Sequence, residues 1–147
     1  MKKIIAKPHL FFFGLVPVFI IIAFLSGDKV IDVNIYNTYF VMEKYHLYLF
    51  SATFFAMIGI NYFSLFWAEK PSKKWLTIIH LILQTIALTL LLTSNNWNWL
   101  LGNNNSTLLD NIANSSTIII FSFLIFLLSI FVHLINFFTS LFLKTKD

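Results

Sequence analysis

Residues 117–143 read TIIIFSFLIFLLSIFVHLINFFTSLFL, 27 positions without a charge. A helix needs roughly 20 apolar residues to cross a hydrocarbon core, so this stretch alone makes the chain a membrane protein. Three more blocks fit the same template: 10–26, which holds Gly14 and Pro17, then 41–67 and 75–93. None carries an acidic residue or a lysine in its middle. The expected fold is an all-α integral membrane four-helix bundle, one transmembrane domain over 1–147, with outer loops at 27–40 and 94–116.

The composition agrees. The 147 residues are 59% hydrophobic and 11% charged, with a mean hydropathy of +0.82. Soluble domains are roughly 25% charged. There is no cysteine, which excludes disulfides, thiolate ligands and thioester or thioether lipid anchors. The +4 charge sits in short segments beside apolar blocks and reads as a topology signal. Nucleic-acid binding would need a basic patch on a soluble face, and the sequence has none.

The lysines orient the bundle. Lys2, Lys3 and Lys7 precede the first helix, Lys70, Lys73 and Lys74 fill the turn between the second and third, and Lys144 and Lys146 follow the fourth. Only Lys29 and Lys44 fall on the other side. The positive-inside rule then places both ends in the cytoplasm, and a bacterial inner membrane is the expected location. Trp67, Trp75, Trp97 and Trp99 lie near helix ends, where interfacial aromatics belong. The N-terminus, MKK and an apolar run, also fits a signal peptide. No A-x-A-like site follows Leu25 and the run has helix length, so it reads as a retained span. The loop 94–116 is rich in Asn and Ser, and its sequons carry no weight in a bacterial chain.

Polar residues gather on one face of three helices at about 100° per residue. On the second they are His46, Thr53, Asn61 and Ser64, with Met57; Gly59 lies opposite. On the third, Thr77, His80, Gln84 and Ala87 share a face that excludes Thr85 and Thr89. On the fourth they are Ser122, Ser129, His133, Asn136 and Ser140. All three faces are expected to turn inward, hydrogen-bonding across helices. Asn61, Gln84 and Asn136 read as packing contacts. The histidines are functional candidates because ionisable groups at membrane depth usually mark a pathway or a site. His9 is expected to be solvated at the inner interface.

Rise along the helices sets the depths. His46 is placed roughly 8 Å below the outer surface, and His80 and His133 roughly 9 and 16 Å above the inner one. In a core of about 30 Å, His133 then lies within about 6–7 Å in depth of either other histidine, while His46 and His80 differ by about 13 Å. A bis-histidine site that uses His133 is allowed by this count.

Residues 32–51 read DVNIYNTYFVMEKYHLYLFS. This resembles the entry to one helix of heme-copper oxidase subunit I, where the family pattern is close to D-x-x-L-H-D-T-Y-F-V-V-A-H-F-H-Y-x-L-S. Asp32, Thr38, Tyr39, Phe40, Val41, His46 and Leu49 fall in register, and Ser51 is one place late. The third block opens with Lys74 to His80 in a way similar to the family's next helix. The chain as a whole looks like the final four helices of that subunit, with the first as the weakest match.

The resemblance implies His46 as an axial ligand of a low-spin heme. Its second ligand would be His133 or a residue of another chain. Glu43, three residues before His46, is placed either to hydrogen-bond its ring or to pair with Lys44 at the interface. The departures limit the chemistry. Tyr36 and Asn37 replace a His-Asp pair that helps bind magnesium, and Lys44 replaces the ligand of the oxygen-binding heme. A protonated ammonium has no lone pair for iron. The helices that carry the copper ligands have no counterpart here.

Oxygen reduction by this chain alone is therefore excluded, and no catalytic residue and no metal site are expected. The expected function is a non-catalytic accessory or assembly component of the respiratory membrane without a cofactor of its own. Its partners would be the lipid bilayer and other membrane subunits, or copies of itself. The alternative is a small membrane cytochrome with one heme on His46. A proton-coupled carrier would need an intramembrane carboxylate, and all six acidic residues lie in loops or at helix ends.

Overall fold

The computed structural model describes residues 7–35, 38–70, 72–94 and 115–142. They form α1 (Pro8–Ser26), β1 (Val30–Ile35), β2 (Thr38–Glu43), α2 (Lys44–Trp67), α3 (Lys74–Thr93) and α4 (Ser115–Phe142). All four helices are long and apolar enough to cross a membrane, so the chain is a multi-pass all-α bundle. Residues 95–114, with Trp97 and Trp99, lie outside the described residues, as do the lysines at positions 2, 3, 144 and 146.

The helices pair in sequence order, α1 on α2 and α3 on α4. The first pair meets over an apolar seam of Phe12, Phe19 and Ala23 against Tyr48, Ala52, Phe55, Ile58 and Tyr62. A Cβ added at Gly59 would stand 2.8 Å from two ring carbons of Phe13, so glycine there allows the close approach. The second pair is held by small polar side chains. Ser122 Oγ donates to the Ala87 carbonyl at 2.8 Å, and Ser129 Oγ lies 3.2 Å from the His80 carbonyl. The two pairs join through longer side chains, among them Phe12 stacked on His80 at 5.0 Å and Phe54 edge-on to Phe126 at 5.6 Å. Large apolar residues such as Phe50, Phe63, Phe123 and Phe131 cover the outside, where lipid tails meet them.

The segment between α1 and α2 differs from the expected loop at 27–40. β1 and β2 form an antiparallel hairpin with Val30 opposite Glu43 and Ile35 opposite Thr38. The Lys44 N–H continues it, donating to the Lys29 carbonyl at 2.8 Å. Residues 41–43 thus belong to a strand, and the helix expected to begin at 41 begins at Lys44. The physical reason is composition: Val30, Ile31, Val33, Ile35, Thr38, Tyr39, Phe40 and Val41 are β-branched or aromatic, the residues that favour strands. β1 leans on α4, and all of β2 is exposed, including Tyr39, Phe40, Val41 and Met42. Gly27 ends α1 at φ 55°, ψ −147°, a backbone region that only glycine enters without strain.

At the opposite, lysine-rich end, α2 closes with a Schellman motif. Lys70 N–H donates to the Leu65 carbonyl and Glu69 N–H to that of Phe66. The motif needs a left-handed residue, usually glycine, and here Glu69 takes it at φ 55°. Glu69→Gly is expected to stabilise the protein by about 1 kcal/mol, read as a higher midpoint in detergent unfolding. Beside it, Lys70 Nζ donates to the Leu141 carbonyl at 2.7 Å, placing a cation on the last turn of α4, where the helix dipole favours it.

His9 departs from the expected solvated position. It is buried, with its ring 5.0 Å from Phe66 and 5.8 Å from Phe63. Trp67 and Trp75 are exposed at helix ends, as interfacial residues should be.

Candidate functional site

The polar faces of α3 and α4 turn inward as expected. Thr77, His80, Gln84 and Ala87, with Ser122, Ser129, His133, Asn136 and Ser140, are all buried, while Thr85 and Thr89 are exposed. α2 does not follow. His46, Thr53, Met57 and Ser64 are exposed, and of that face only Asn61 reaches the interior. The reason is local. Thr53 Oγ1 donates to the Leu49 carbonyl at 3.1 Å, and Ser64 Oγ to that of Ile60 at 2.8 Å. A hydroxyl satisfied by the preceding turn of its own helix can face lipid. The inward seam of α2 is instead Tyr48, Ala52, Phe55, Gly59 and Tyr62, spaced four, three, four and three. That coiled-coil-like spacing was the available signal, and the polar residues obscured it.

Tyr62 is the site residue that the sequence reading missed. Its hydroxyl lies 2.9 Å from His80 Nδ1. Its ring stacks on Phe12 at 5.8 Å and 12° and meets the His133 ring at 4.7 Å. Asn136 organises the surroundings. Its amide nitrogen donates to Thr77 Oγ1 at 2.9 Å and reaches Tyr62 Oη at 3.5 Å. Its carbonyl accepts the Lys73 backbone N–H at 3.1 Å. Asn61 Nδ2 lies 3.3 Å from His133 Nε2, and the His80 and His133 rings lie 4.9 Å apart at 31°. Residues of α1, α2, α3 and α4 therefore converge on one aromatic and imidazole stack, which bonds through Asn136 to the lysine-rich turn.

His46 has no part in it. Its side chain is 64% exposed at the N-terminal end of α2, and its Nε2 sits 3.2 Å from the Glu43 carboxylate. The ring-bonding alternative for Glu43 is the one observed. The structure also separates His46 from His133. His133 touches Asn61, which is 15 positions from His46 and so about 22 Å away along α2. The depth count put the two closer because it measured His46 and His133 from opposite surfaces of a core of about 30 Å, whereas α2 has 24 residues and is about 36 Å long; the later helix start adds about 4.5 Å. With residues 41–43 in a strand, His46 lies at the helix mouth.

Neither the His46–His133 pair nor the His80–His133 pair is arranged to hold a heme between its rings. His46 and His133 are too far apart. His80 and His133 are close but lie ring over ring, whereas axial ligands point nitrogen lone pairs at the metal from about 2 Å. Among the described residues no group of three or more His, Cys, Asp or Glu is placed to hold a metal ion.

No protein-family model matches the chain, and no curated protein or solved structure does either.

Proposed function

We propose that the protein is a non-catalytic accessory or assembly component of a respiratory membrane, descended from the end of heme-copper oxidase subunit I, with its lysine-rich end in the bacterial cytoplasm. One observation carries the reading. The bundle interior is filled by packed aromatic and polar side chains, several bonded across helices, while His46, at the position the resemblance assigns to iron, lies at the rim against Glu43. An interior of this kind makes a stable four-helix body for docking to other membrane subunits. The sequence likeness supplies the respiratory context.

The test is a reduced-minus-oxidised spectrum at two stages of purification. In mild detergent, tagged protein from native membranes is expected to bring a heme signal with it, contributed by its partners. After a harsher detergent strips those partners, the isolated chain is expected to show none. His46→Ala is expected to leave both results and the unfolding midpoint nearly unchanged, because the contact with Glu43 is exposed to solvent and such surface contacts contribute little. A near-stoichiometric heme signal that stays with the isolated chain and vanishes in His46→Ala would overturn this reading in favour of the cytochrome.

A further inference from the structure

The two strands of the hairpin are covered unequally. β1 leans on α4, and its Ile31 is buried, while all six residues of β2 are exposed. A two-stranded hairpin is marginal in water unless a helix or further strands support it. α4 supports β1, and no described residue covers β2. Proteins guard such an edge with a proline, a bulge or a lysine. β2 reads TYFVME and has no proline or lysine, and its register with β1 runs without a bulge.

The ladder shows which backbone groups the open edge offers. Lys44 N–H donates to the Lys29 carbonyl, and bonded positions alternate along an antiparallel pair. Met42, Phe40 and Thr38 therefore bond to β1. Tyr39, Val41 and Glu43 turn their N–H and C=O groups to the open edge, where no described residue bonds them.

This alternation restricts how a further strand adds. Bonded positions must face each other, so two antiparallel copies of β2 pair odd positions with odd ones. Using all three puts Val41 opposite Val41 of the copy, Tyr39 opposite Glu43, and Phe40 opposite Met42. A hydroxyl donor then meets a carboxylate, a thioether meets an aromatic ring, and no like charges face each other. The strand is complementary to itself, as a two-fold interface requires. We propose that the open edge of β2 pairs with β2 of a second copy of this chain, joining two hairpins into a four-stranded antiparallel sheet with Val41 on the two-fold axis. Both copies stand the same way up in the bilayer, so the axis follows the membrane normal and the sheet lies parallel to the membrane surface. The pairing is independent of the respiratory reading.

The test is disulfide cross-linking in native membranes, where the chain's lack of cysteine makes each introduced thiol unique. Val41→Cys is expected to give a disulfide-linked dimer on mild oxidation, because opposite Cα atoms in a bonded pair stand about 5.5 Å apart, within disulfide range. Tyr39→Cys is the control. Its two copies lie about 13 Å apart along the strands, so it is expected to stay monomeric. A second arm co-expresses Phe40→Cys and Met42→Cys on chains with different tags, and a mixed dimer is expected. Adding Val41→Pro to both chains removes the N–H that faces the copy and none that faces β1, so the mixed dimer is expected to disappear. The absence of a dimer in both arms, equal yields from Val41→Cys and Tyr39→Cys, or a mixed dimer that survives Val41→Pro would each overturn the proposal. So would a fluorophore on Val41→Cys that is quenched by headgroup-labelled lipid while no dimer forms, a result that gives the edge to the bilayer.

Discussion

Asn136→Leu is expected to lower the unfolding free energy of the detergent-solubilised protein by about 2 kcal/mol. Asn136 makes three hydrogen bonds, to the Lys73 backbone, Thr77 and Tyr62. Interhelical bonds in membranes average about 0.6 kcal/mol each, and the abandoned partners add a desolvation penalty. Leucine has the same branched heavy-atom skeleton, so no cavity opens. Steric trapping or graded denaturing detergent would measure the loss. Thr53→Val is the control: Thr53 is exposed and bonded only to its own helix, so no change is expected. Equal effects from the two variants would show that the interior network does not hold the helices together.

The second large effect is expected at Gly59. Gly59→Leu forces a side chain into the space of Phe13, whose ring carbons stand 2.8 Å from the Cβ position. Overpacking of this kind costs roughly 1–3 kcal/mol, and here it pries α1 from α2. Phe13 is partly exposed to the outside and its truncation removes the obstacle. Gly59→Ala combined with Phe13→Ala should therefore recover much of the stability that Gly59→Ala loses. Additive losses in that pair would mean that the glycine is needed for something other than the contact with Phe13.

The spans were legible because lipid demands a run of apolar residues, and 117–143 supplies one that no other fold explains. The inward faces of α3 and α4 were legible because His80, Gln84, His133 and Asn136 cannot satisfy their polar groups within their own helix. α2 misled because Thr53 and Ser64 can. Period and polarity alone do not separate a hydroxyl that bonds backward from one that bonds across. Tyr62 was lost for the same reason, as an aromatic among aromatics. The hairpin was written in the β-branched residues around 30–41, yet the apolar block that begins at Val41 drew the helix boundary three residues early. That boundary moved His46 by only about 4.5 Å; the larger error in the bis-histidine geometry came from counting depth from opposite surfaces, as if each helix were as long as the core.

The pairing of α3 with α4 also imposes a schedule. Thr77 waits for Asn136, 59 residues later in the chain, and the His80 carbonyl waits for Ser129, 49 residues later. At roughly 5–20 residues per second, α3 exists for several seconds before the residues that complete it have been synthesised. During that time Thr77 and Gln84 lack their partners on α4, while His80 can already meet Tyr62 of α2 and Phe12 of α1. Release of α3 into the bilayer is therefore expected to lag until α4 is made, so that the two helices leave the translocon together.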